Sequence, residues 1–403
     1  MEIKGFHLTY CSNIHPGESW EATFENLKKY IPEVKKRLNV EKPFGIGLRL
    51  SNEASLILEK ADHLAEFQDW LKSENAYVFT LNGFPYGDFH RTTVKDQVHF
   101  PDWTTTDRHD YTIRSFHILS KLLPEGLDGG ISTSPISYRH WFKSEAALNA
   151  GMEIATTHLL EVVAELVAIK KQTGKSLHLD IEPEPDGILE NSDEMIWLFS
   201  DWLLPIGKPW LAEKLEISED QAEKVLKEHI QVCYDVCHFA IVYEKPAETF
   251  AKFEKQGIKI GKIQISAALK VLIPAEPEAR DLVKVKLLPF EESTYLHQVV
   301  AKKKEGGLKS YSDLPEALNL LNTTDDEEWR IHFHVPVFLS NYGALASTQD
   351  QISIVLNEIL KNTSLTNHLE VETYTWEVLP ENIRQSLGES ISRELDWVIE
   401  KMK

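Results

Sequence analysis

Cysteine is scarce in this chain. Only Cys11, Cys233 and Cys237 occur among 403 residues, and such an odd, sparse set supports no disulfide framework but is typical of a reducing cytosol. The opening MEIKGFHLTY has no apolar run of the secretory type, and no later segment approaches the roughly eighteen apolar residues of a membrane span. We therefore expect a soluble cytoplasmic protein that does not insert into a membrane.

Positive charge is also in short supply. The 43 Lys and Arg residues face 63 Asp and Glu residues, which gives a formal net charge of -20. Most of such a surface repels phosphate backbones, so nucleic acid is not an expected partner. The sequence also lacks a phosphate-binding loop, a Gly-rich dinucleotide fingerprint and a GxSxG nucleophile elbow. These absences give no support to phosphate-loop, dinucleotide-binding or serine-hydrolase chemistry.

Short apolar runs rich in β-branched residues alternate along the chain with longer helical patterns. This alternation predicts repeated βα units and a parallel sheet. Eight strands are what a closed (β/α)8 TIM barrel requires, and we predict one such barrel over residues 1–403. The predicted strands are residues 5–11, 44–50, 76–82, 129–135, 176–182, 231–237, 260–266 and 369–374. The predicted helices lie near 21–38, 53–74, 111–122, 144–173, 193–204, 218–229, 246–256 and 349–362, with a closing helix at about 380–402.

Roughly a hundred residues separate the seventh and eighth predicted strands. We predict an insertion there, at about 267–330, with an additional strand or loop over the barrel mouth. The apolar run RIHFHVPVF (330–338) follows it and contains His332 and His334, which share a face if the run is extended. Histidines two residues apart can ligate a metal or line an aromatic pocket, and without the barrel around them the pocket is the preferred interpretation.

The run LHLDIEPEP (177–185) predicts a buried strand that ends in carboxylates. Because side chains alternate along a strand, His178, Asp180 and Glu182 would share one face. Polar groups on one face of an apolar strand fit the inside of a barrel whose open end holds a metal or a substrate. The prolines end the strand where such a site would begin.

Polar residues also stand at the ends of three further predicted strands, namely Asp235, Gln264 and Glu372. Any one of them alone is more often a helix cap or an ion-pair partner. Four carboxylate or amide groups at matching positions, however, are difficult to bury without a cation. Oxygen ligands from separate strands can converge on one divalent cation, Zn, Mn, Co or Mg. We therefore predict a metal site formed by Glu182, Asp235, Gln264 and Glu372, with Glu184 outside the ligand set.

Candidate substrate contacts lie in the turns that follow the strands. His238 has the opposite strand parity to Asp235, so we place it in the turn, where it either reaches substrate or bonds a neighbouring loop. Asn13 and His15 either contact substrate or shape the first turn. The loop 82–111 forms either an apolar wall over the substrate or a satellite core, and we favour the wall. It concentrates Phe84, Tyr86, Phe89, His90, Phe100 and Trp103.

Five motifs, LTYCSNIHPGESW, NGFPYG, LHLDIEPEP, CYDVCHFA and LEVETYTW, carry a resemblance that spans nearly the whole chain. They resemble the EboE type of metabolite-traffic protein within the xylose-isomerase-like TIM-barrel superfamily, which includes sugar isomerases, sugar epimerases and endonuclease IV. The resemblance implies carboxylate ligands at Glu182, Asp235 and Glu372, with His238 in contact with substrate. The full set of expected substrate contacts is Asn13, Phe84, Tyr86, His238, His334 and Trp376.

The chain departs from the superfamily pattern at Gln264, where the superfamily has a histidine ligand. An amide oxygen ligates less strongly than imidazole, so the site is weaker, recruits His332 or His334, or has lost its metal. Endonuclease IV-like members need further histidines near the second and third strands. Here only His90 is a distant candidate, and the acidic charge also opposes DNA binding.

Two functions follow from these expectations. The first is a metal-dependent sugar isomerase or epimerase-like enzyme, in which Glu182 and Glu372 move a proton on and off the carbon of a small polyhydroxylated or carbonyl metabolite through an enediolate. The second is a non-catalytic carrier or scaffold that binds a metabolite for partner proteins of its pathway. Gln264 favours the carrier, and the three retained carboxylates favour the enzyme, which we prefer.

Overall fold

The computed structural model describes residues 1–87, 94–377, 379 and 386–403. Two residues singled out from the sequence, Phe89 and His90, lie outside these ranges. Among the described helices, none combines the length and the apolar character needed to cross a lipid bilayer.

Eight parallel strands form a TIM barrel, and every strand predicted from the sequence is confirmed. A short strand β1 (Glu2–Ile3) pairs antiparallel with the first barrel strand. Around the barrel, neighbouring strands pair in the order β2-β15-β8-β7-β6-β5-β4-β3. The barrel strands are β2 (Phe6–Tyr10), β3 (Phe44–Arg49), β4 (Ala76–Asn82), β5 (Gly129–Thr133), β6 (Leu177–Ile181), β7 (Ile230–Asp235), β8 (Ile260–Ile265) and β15 (His368–Val371).

The seam between β2 and β3 is closed largely by side chains. The backbones meet in one isolated bridge, between Cys11 and Gly47. Thr9 Oγ1 donates to the Gly45 carbonyl at 2.8 Å and accepts from the Gly47 amide at 3.0 Å. These hydroxyl bonds satisfy main-chain groups that a regular ladder would otherwise pair.

The helices follow the barrel strands and cover the sheet, as the alternation predicted. The longest helix is preceded by Ser144, whose side chain accepts from the Ala147 amide, and is followed by Gly174 at φ 75°, which are the start and stop signals expected there. The helices are α1 (Trp20–Arg37), α2 (Asn52–Leu58), α3 (Ala61–Ser73), α4 (Thr106–Leu122), α5 (Glu145–Thr173), α6 (Ser192–Trp197), α7 (Leu204–Leu215), α8 (Glu219–His229), α9 (Val236–Ile241), α10 (Pro246–Gln256), α11 (Pro277–Leu287), α12 (Leu314–Leu320), α13 (Gln349–Lys361) and α14 (Leu387–Lys401).

A second sheet lies between β8 and β15 in the chain. Its six strands are antiparallel and follow the order β11-β10-β12-β9-β14-β13. The run RIHFHVPVF contributes the end of its longest strand. The strands are β9 (Ala268–Leu272), β10 (Val299–Lys303), β11 (Leu308–Tyr311), β12 (Asp326–His334), β13 (Asn341–Tyr342) and β14 (Leu345–Ser347). That about 267–330 is an insertion within a single domain of residues 1–403 stays a prediction.

The interior of the barrel is unusually polar. His178 and Asp180 point inward from β6 and are joined by a hydrogen bond of 2.6 Å between Nδ1 and Oδ1. Lys262 Nζ bonds Glu370 Oε2 at 2.6 Å, and both side chains are fully buried. Gly261 leaves the space that Asp180 fills, since a Cβ there would overlap the carboxylate. Charged side chains, instead of apolar ones, therefore occupy the interior of the barrel below its mouth.

Candidate functional site

A cavity lies at the carboxyl ends of the barrel strands, beneath the second sheet. Its empty space, including the open mouth, is about 570 Å³. This end of a parallel barrel is where active sites are found. The lining residues are Asn13, Asn82, Phe84, Pro85, Lys95, Val98, His99, Glu182, Glu184, His238, Tyr295, Leu296, Gln298, His332, His334, Glu372 and Tyr374.

Glu372 follows strand β15 and is held by two amides from other strand ends. Asn13 Nδ2 donates to Glu372 Oε1 at 2.6 Å, and Asn82 Nδ2 donates to the same oxygen at 3.0 Å. Two neutral donors on one carboxylate oxygen fix its orientation without cancelling its charge. The predicted contact Asn13 therefore lies in the cavity, and its described contact there is with Glu372.

Asp235 ends β7 and is also the N-cap of α9. Its Oδ1 accepts from the His238 amide at 2.9 Å and from Ser266 Oγ at 2.8 Å. This short helix turns His238 back over the strand end, and His238 Nδ1 donates to the Pro183 carbonyl at 3.0 Å. His238 therefore bonds a neighbouring loop, one of the two alternatives raised from the sequence, and it also lines the cavity, while its contact with substrate stays a prediction.

His332 and His334, from the end of β12, reach the same place from the second sheet. His332 Nδ1 donates to Gln298 Oε1 at 2.8 Å, and Gln298 Nε2 in turn donates to the Pro185 carbonyl at 3.2 Å. His334 Nδ1 donates to the carbonyl of Glu372 at 2.9 Å. The site therefore combines side chains from the ends of the barrel strands with two imidazoles from the second sheet.

These bonds determine the tautomers of all three histidines. Because each Nδ1 faces an oxygen acceptor, it carries the proton, and each Nε2 presents a lone pair. The Nε2 atoms of His238 and His332 lie only 3.1 Å apart. Nε2 of His334 is buried and has no partner among the described residues. Two lone pairs at that separation repel each other unless a proton or a cation lies between or beside them.

The donor set fits a divalent cation. Three groups each have ligand atoms within 4.8 Å of one another: His238, His332 and His334; Asp235, Cys237 and His334; and Glu182, Asp235 and His238. Glu182 Oε2 and Asp235 Oδ2 are buried and have no partner in the described part of the chain. Histidines whose second nitrogen is fixed by an oxygen acceptor are the usual form of metal-ligating histidines.

The electrostatics of the cavity also suit a bound cation. Burial, and then the charges of Glu372 and Asp235, raise the pKa of Glu182 well above its ordinary value. Burial, followed by Asp235, raises the pKa of Glu372 in the same way. Burial lowers the pKa of His334 to about 4, and burial with the neighbouring imidazoles lowers the pKa of His332 well below its ordinary value. A bound cation would favour ionised carboxylates and neutral imidazoles alike.

Four of the predicted metal ligands and substrate contacts lie outside the cavity lining, namely Asp235, Gln264, Tyr86 and Trp376. The amide oxygen of Gln264 accepts from Cys233 Sγ at 3.1 Å inside the barrel. Tyr86 packs on Tyr111, with ring centroids 5.2 Å apart, and Trp376 stacks at 6.5 Å on Phe338. The two aromatic side chains are therefore not brought to the cavity, whereas Gln264 lies beside Asp235 as its register partner on β8, and its role as a ligand stays a prediction. Phe84, by contrast, lines it.

Several lining residues were not predicted as site residues. Asn82 ends β4, and its strand-end position could have indicated it. Glu184 was placed outside the ligand set, and it lines the cavity without belonging to any of the ligand groups found among the described residues. His99 lies in the loop predicted to form an apolar wall or a satellite core, and Gln298 lies in the segment between β8 and β15, where no local pattern indicates the pairing. Glu182 and Asp235 fall within the ligand groups, whereas Glu372 lines the cavity beside them.

Comparison with known proteins gives similarity to solved structures only. No protein-family model and no curated protein matches the chain. It is similar to a xylose isomerase-like TIM barrel protein from Mycobacterium smegmatis in complex with magnesium, at 8% identity and a TM-score of 0.45 over 92% of this chain and 86% of that chain. It is similar to the IOLI protein with a bound zinc atom, at 10% identity and a TM-score of 0.45, over 98% of both chains. It is also similar to 3-keto-D-glucoside 4-epimerase from E. coli, at 10% identity and a TM-score of 0.43, over 98% of both chains. At these identities the similarity concerns the fold alone.

Proposed function

We propose that the protein is a divalent-cation-dependent enzyme of the sugar isomerase or epimerase type, acting on a small polyhydroxylated or carbonyl metabolite. One observation carries the proposal. Three overlapping groups of side chains, drawn from Glu182, Asp235, Cys237, His238, His332 and His334, could each hold a cation at the barrel mouth, and Glu372 is held separately in the cavity by Asn13. This combination offers a cation site and a pair of acid–base groups in one enclosure.

The residues that would hold the cation are Asp235, His238, His332 and His334, together with Glu182. In this proposal the two histidines of β12 take the place of Gln264, whose oxygen is bonded to Cys233. Nitrogen and carboxylate ligands of this kind suit zinc, manganese or cobalt better than magnesium. When bound, the cation would stabilise the negative charge that develops on a substrate oxygen as a neighbouring carbon loses its proton.

The two proposed proton carriers come from opposite sides of the barrel. Glu182 follows β6 and Glu372 follows β15, and these strands are three positions apart in a barrel of eight. A substrate between them would present a different face to each carboxylate. One carboxylate would take the proton from carbon, and the other would return a proton to the opposite face or to the neighbouring carbon. Asn13 and Asn82 would keep Glu372 oriented throughout.

The roof of the cavity favours chemistry that excludes water. The Val94 amide donates to the Thr294 carbonyl at 2.8 Å, and Lys95 Nζ pairs with Asp313 Oδ2 at 2.7 Å. These contacts join the loop after β4 to the second sheet above the barrel mouth. Enclosure of this kind strengthens electrostatic interactions inside the cavity and protects a reactive carbanion from solvent.

Elemental analysis of protein purified without chelator tests the cation, and a screen of sugars and polyols tests the reaction. We expect bound divalent metal, and we expect turnover that a chelator abolishes. Glu182→Gln should lose metal or turnover, whereas His117→Phe, at a half-buried histidine paired with Glu165 at 3.1 Å, should lose neither. Full metal occupancy and full activity in Glu182→Gln would contradict the assignment.

The second candidate function is a carrier or scaffold in a metabolite-traffic pathway. The absence of a histidine at Gln264 and the sequence resemblance to EboE-type proteins support it. A carrier needs the cavity but not the cation. If the purified protein contained no metal and still bound a metabolite, the carrier function would be favoured over the enzyme function.

A further inference from the structure

Two buried side chains in the cavity, His99 and Glu184, have polar atoms that the described residues leave without a partner. These atoms are His99 Nδ1 and Glu184 Oε2. The residues are only 1% and 8% exposed, and both line the cavity. Neither belongs to the candidate ligand groups of the described chain, so the cation does not account for them.

The His99 ring is fixed by aromatic neighbours. It lies in an aromatic box formed by Phe84, Tyr138 and Trp141, with ring centroids 5.5, 5.3 and 6.5 Å away. The short 3-10 helix that carries it, Lys95–His99, is anchored to the same box, because Trp141 Nε1 donates to Asp96 Oδ2 at 2.9 Å. Ring contacts therefore position the imidazole, and its Nδ1 has no partner among the described residues.

Glu184 is fixed through its main chain. Its amide donates to the Leu189 carbonyl at 3.0 Å, and its carbonyl accepts from the Gly187 amide at 3.0 Å. The turn that follows Glu182 is thus closed on itself, and it aims the Glu184 side chain into the cavity. His99 lies in the loop after β4 and Glu184 in the loop after β6. The barrel fold therefore brings these two side chains close together.

The spacing of the two groups matches a bridging hydroxyl. His99 Nε2 lies 4.0 Å from Glu184 Oε2, which is too long for a hydrogen bond between them. One oxygen atom can nevertheless lie about 2.9 Å from both, the normal hydrogen-bond distance. The hydroxyl would pair Glu184 Oε2, whose unpaired burial otherwise costs about 1 to 3 kcal/mol. It would reach His99 through Nε2, the ring nitrogen other than the unpartnered Nδ1.

We propose that His99 and Glu184 form a second binding site in the cavity, which accepts one hydroxyl group of the substrate and selects its position. A hydroxyl can donate to one neighbour and accept from the other at a single oxygen, which matches an imidazole beside a carboxyl group. The inference rests on the proposed function, because it assumes a polyhydroxylated ligand. It adds a specificity site separate from the cation and from the proton carriers.

Isothermal titration of the purified protein with neutral sugars and polyols, including myo-inositol, D-fructose and D-xylose, tests the proposal. The tightest binder of the wild-type protein is then compared with its monodeoxy analogues. We expect one analogue to bind at least tenfold more weakly than its parent. His99→Phe and Glu184→Leu should each weaken the parent at least tenfold and remove its advantage over that analogue. His117→Phe should bind as the wild-type protein does.

The outcomes separate the two proposals. If no sugar or polyol binds the wild-type protein, the polyhydroxylated substrate of the proposed function is wrong, and this site falls with it. If the parent binds but every monodeoxy analogue binds equally well, the hydroxyl site alone is wrong. That comparison uses only wild-type protein, so it decides the question even if a variant does not fold. Unchanged binding in both folded variants would also overturn the site.

Discussion

A substitution of Gln298 tests the proposed tautomer of His332 most directly. Gln298 hydrogen-bonds His332, a proposed metal ligand, but is not itself a proposed ligand. Its Oε1 accepts from His332 Nδ1 at 2.8 Å, and its own Nε2 is held by the Pro185 carbonyl. Gln298→Leu removes the acceptor and keeps an apolar side chain of similar size. His332 then loses the bond that assigns its proton to Nδ1 and its lone pair to Nε2.

The expected loss can be bounded from this geometry. Removing an outer hydrogen-bond partner of a ligating histidine typically lowers metal affinity by about 10- to 100-fold, which corresponds to about 1.4 to 2.7 kcal/mol. The lower bound applies if His332 keeps its orientation and loses only basicity. The upper bound applies if the ring rotates and His332 no longer ligates. The main-chain bond from the His332 amide to the Gln298 carbonyl, 2.8 Å, is retained in either case.

The assay is competition for zinc between the protein and a chromophoric chelator at constant pH. Gln231→Leu is the matched control, because Gln231 is also buried and donates to the Glu228 carbonyl at 2.7 Å, at the start of β7 and far from the barrel mouth. We expect wild-type zinc affinity in the control. Equal affinity in Gln298→Leu and the wild-type protein would refute the assignment of the His332 tautomer and its role.

Two further predictions concern stability. Burial raises the pKa of Glu394 to about 7 from an ordinary 4.5, so its contribution to stability is complete below pH 4.5 and is lost as the pH rises through 7, by about 3 kcal/mol in all. In urea denaturation, the free energy of unfolding of Glu394→Gln should therefore rise relative to that of the wild-type protein between pH 4.5 and 7. The exposed Glu389→Gln should show no such relative rise. If the free energies of unfolding of Glu394→Gln and the wild-type protein changed in parallel with pH, the prediction would be wrong. Lys262→Met leaves the fully buried Glu370 carboxylate unpaired and should lower the free energy of unfolding by about 3 to 5 kcal/mol. The double variant with Glu370→Gln should recover most of that loss, and a double variant as unstable as the single one would refute the pairing argument.

The barrel could be predicted from the sequence because its signals are local. Each strand is a short apolar run between turn residues, and α10 (Pro246–Gln256) coincides with its predicted range because Pro246 and Gly257 mark its ends. Where local signals are weaker, the boundaries shift. The predicted helix at 53–74 is divided into α2 and α3, and α7 was not predicted.

From the sequence, only the part of the candidate site that lies at the ends of the barrel strands could be predicted. Glu182, Asp235 and Glu372 follow from strand-end positions that repeat along the chain. His332 and His334 could be seen to share a face, but not to face the barrel, because β12 pairs with β9 and β10, which are distant in sequence. Long-range antiparallel pairing of this kind leaves no periodic signal.

The second sheet has a consequence for how the molecule holds together. The proposed ligands are divided between the barrel, which supplies Asp235 and His238, and strand β12, which supplies His332 and His334. A cation bound by both would contribute its binding free energy to the docking of one sheet on the other. Chelation should then speed amide hydrogen exchange in β12 before it affects the barrel strands. The bound cation would therefore stabilise the contact between the second sheet and the barrel, independently of the reaction catalysed in the cavity.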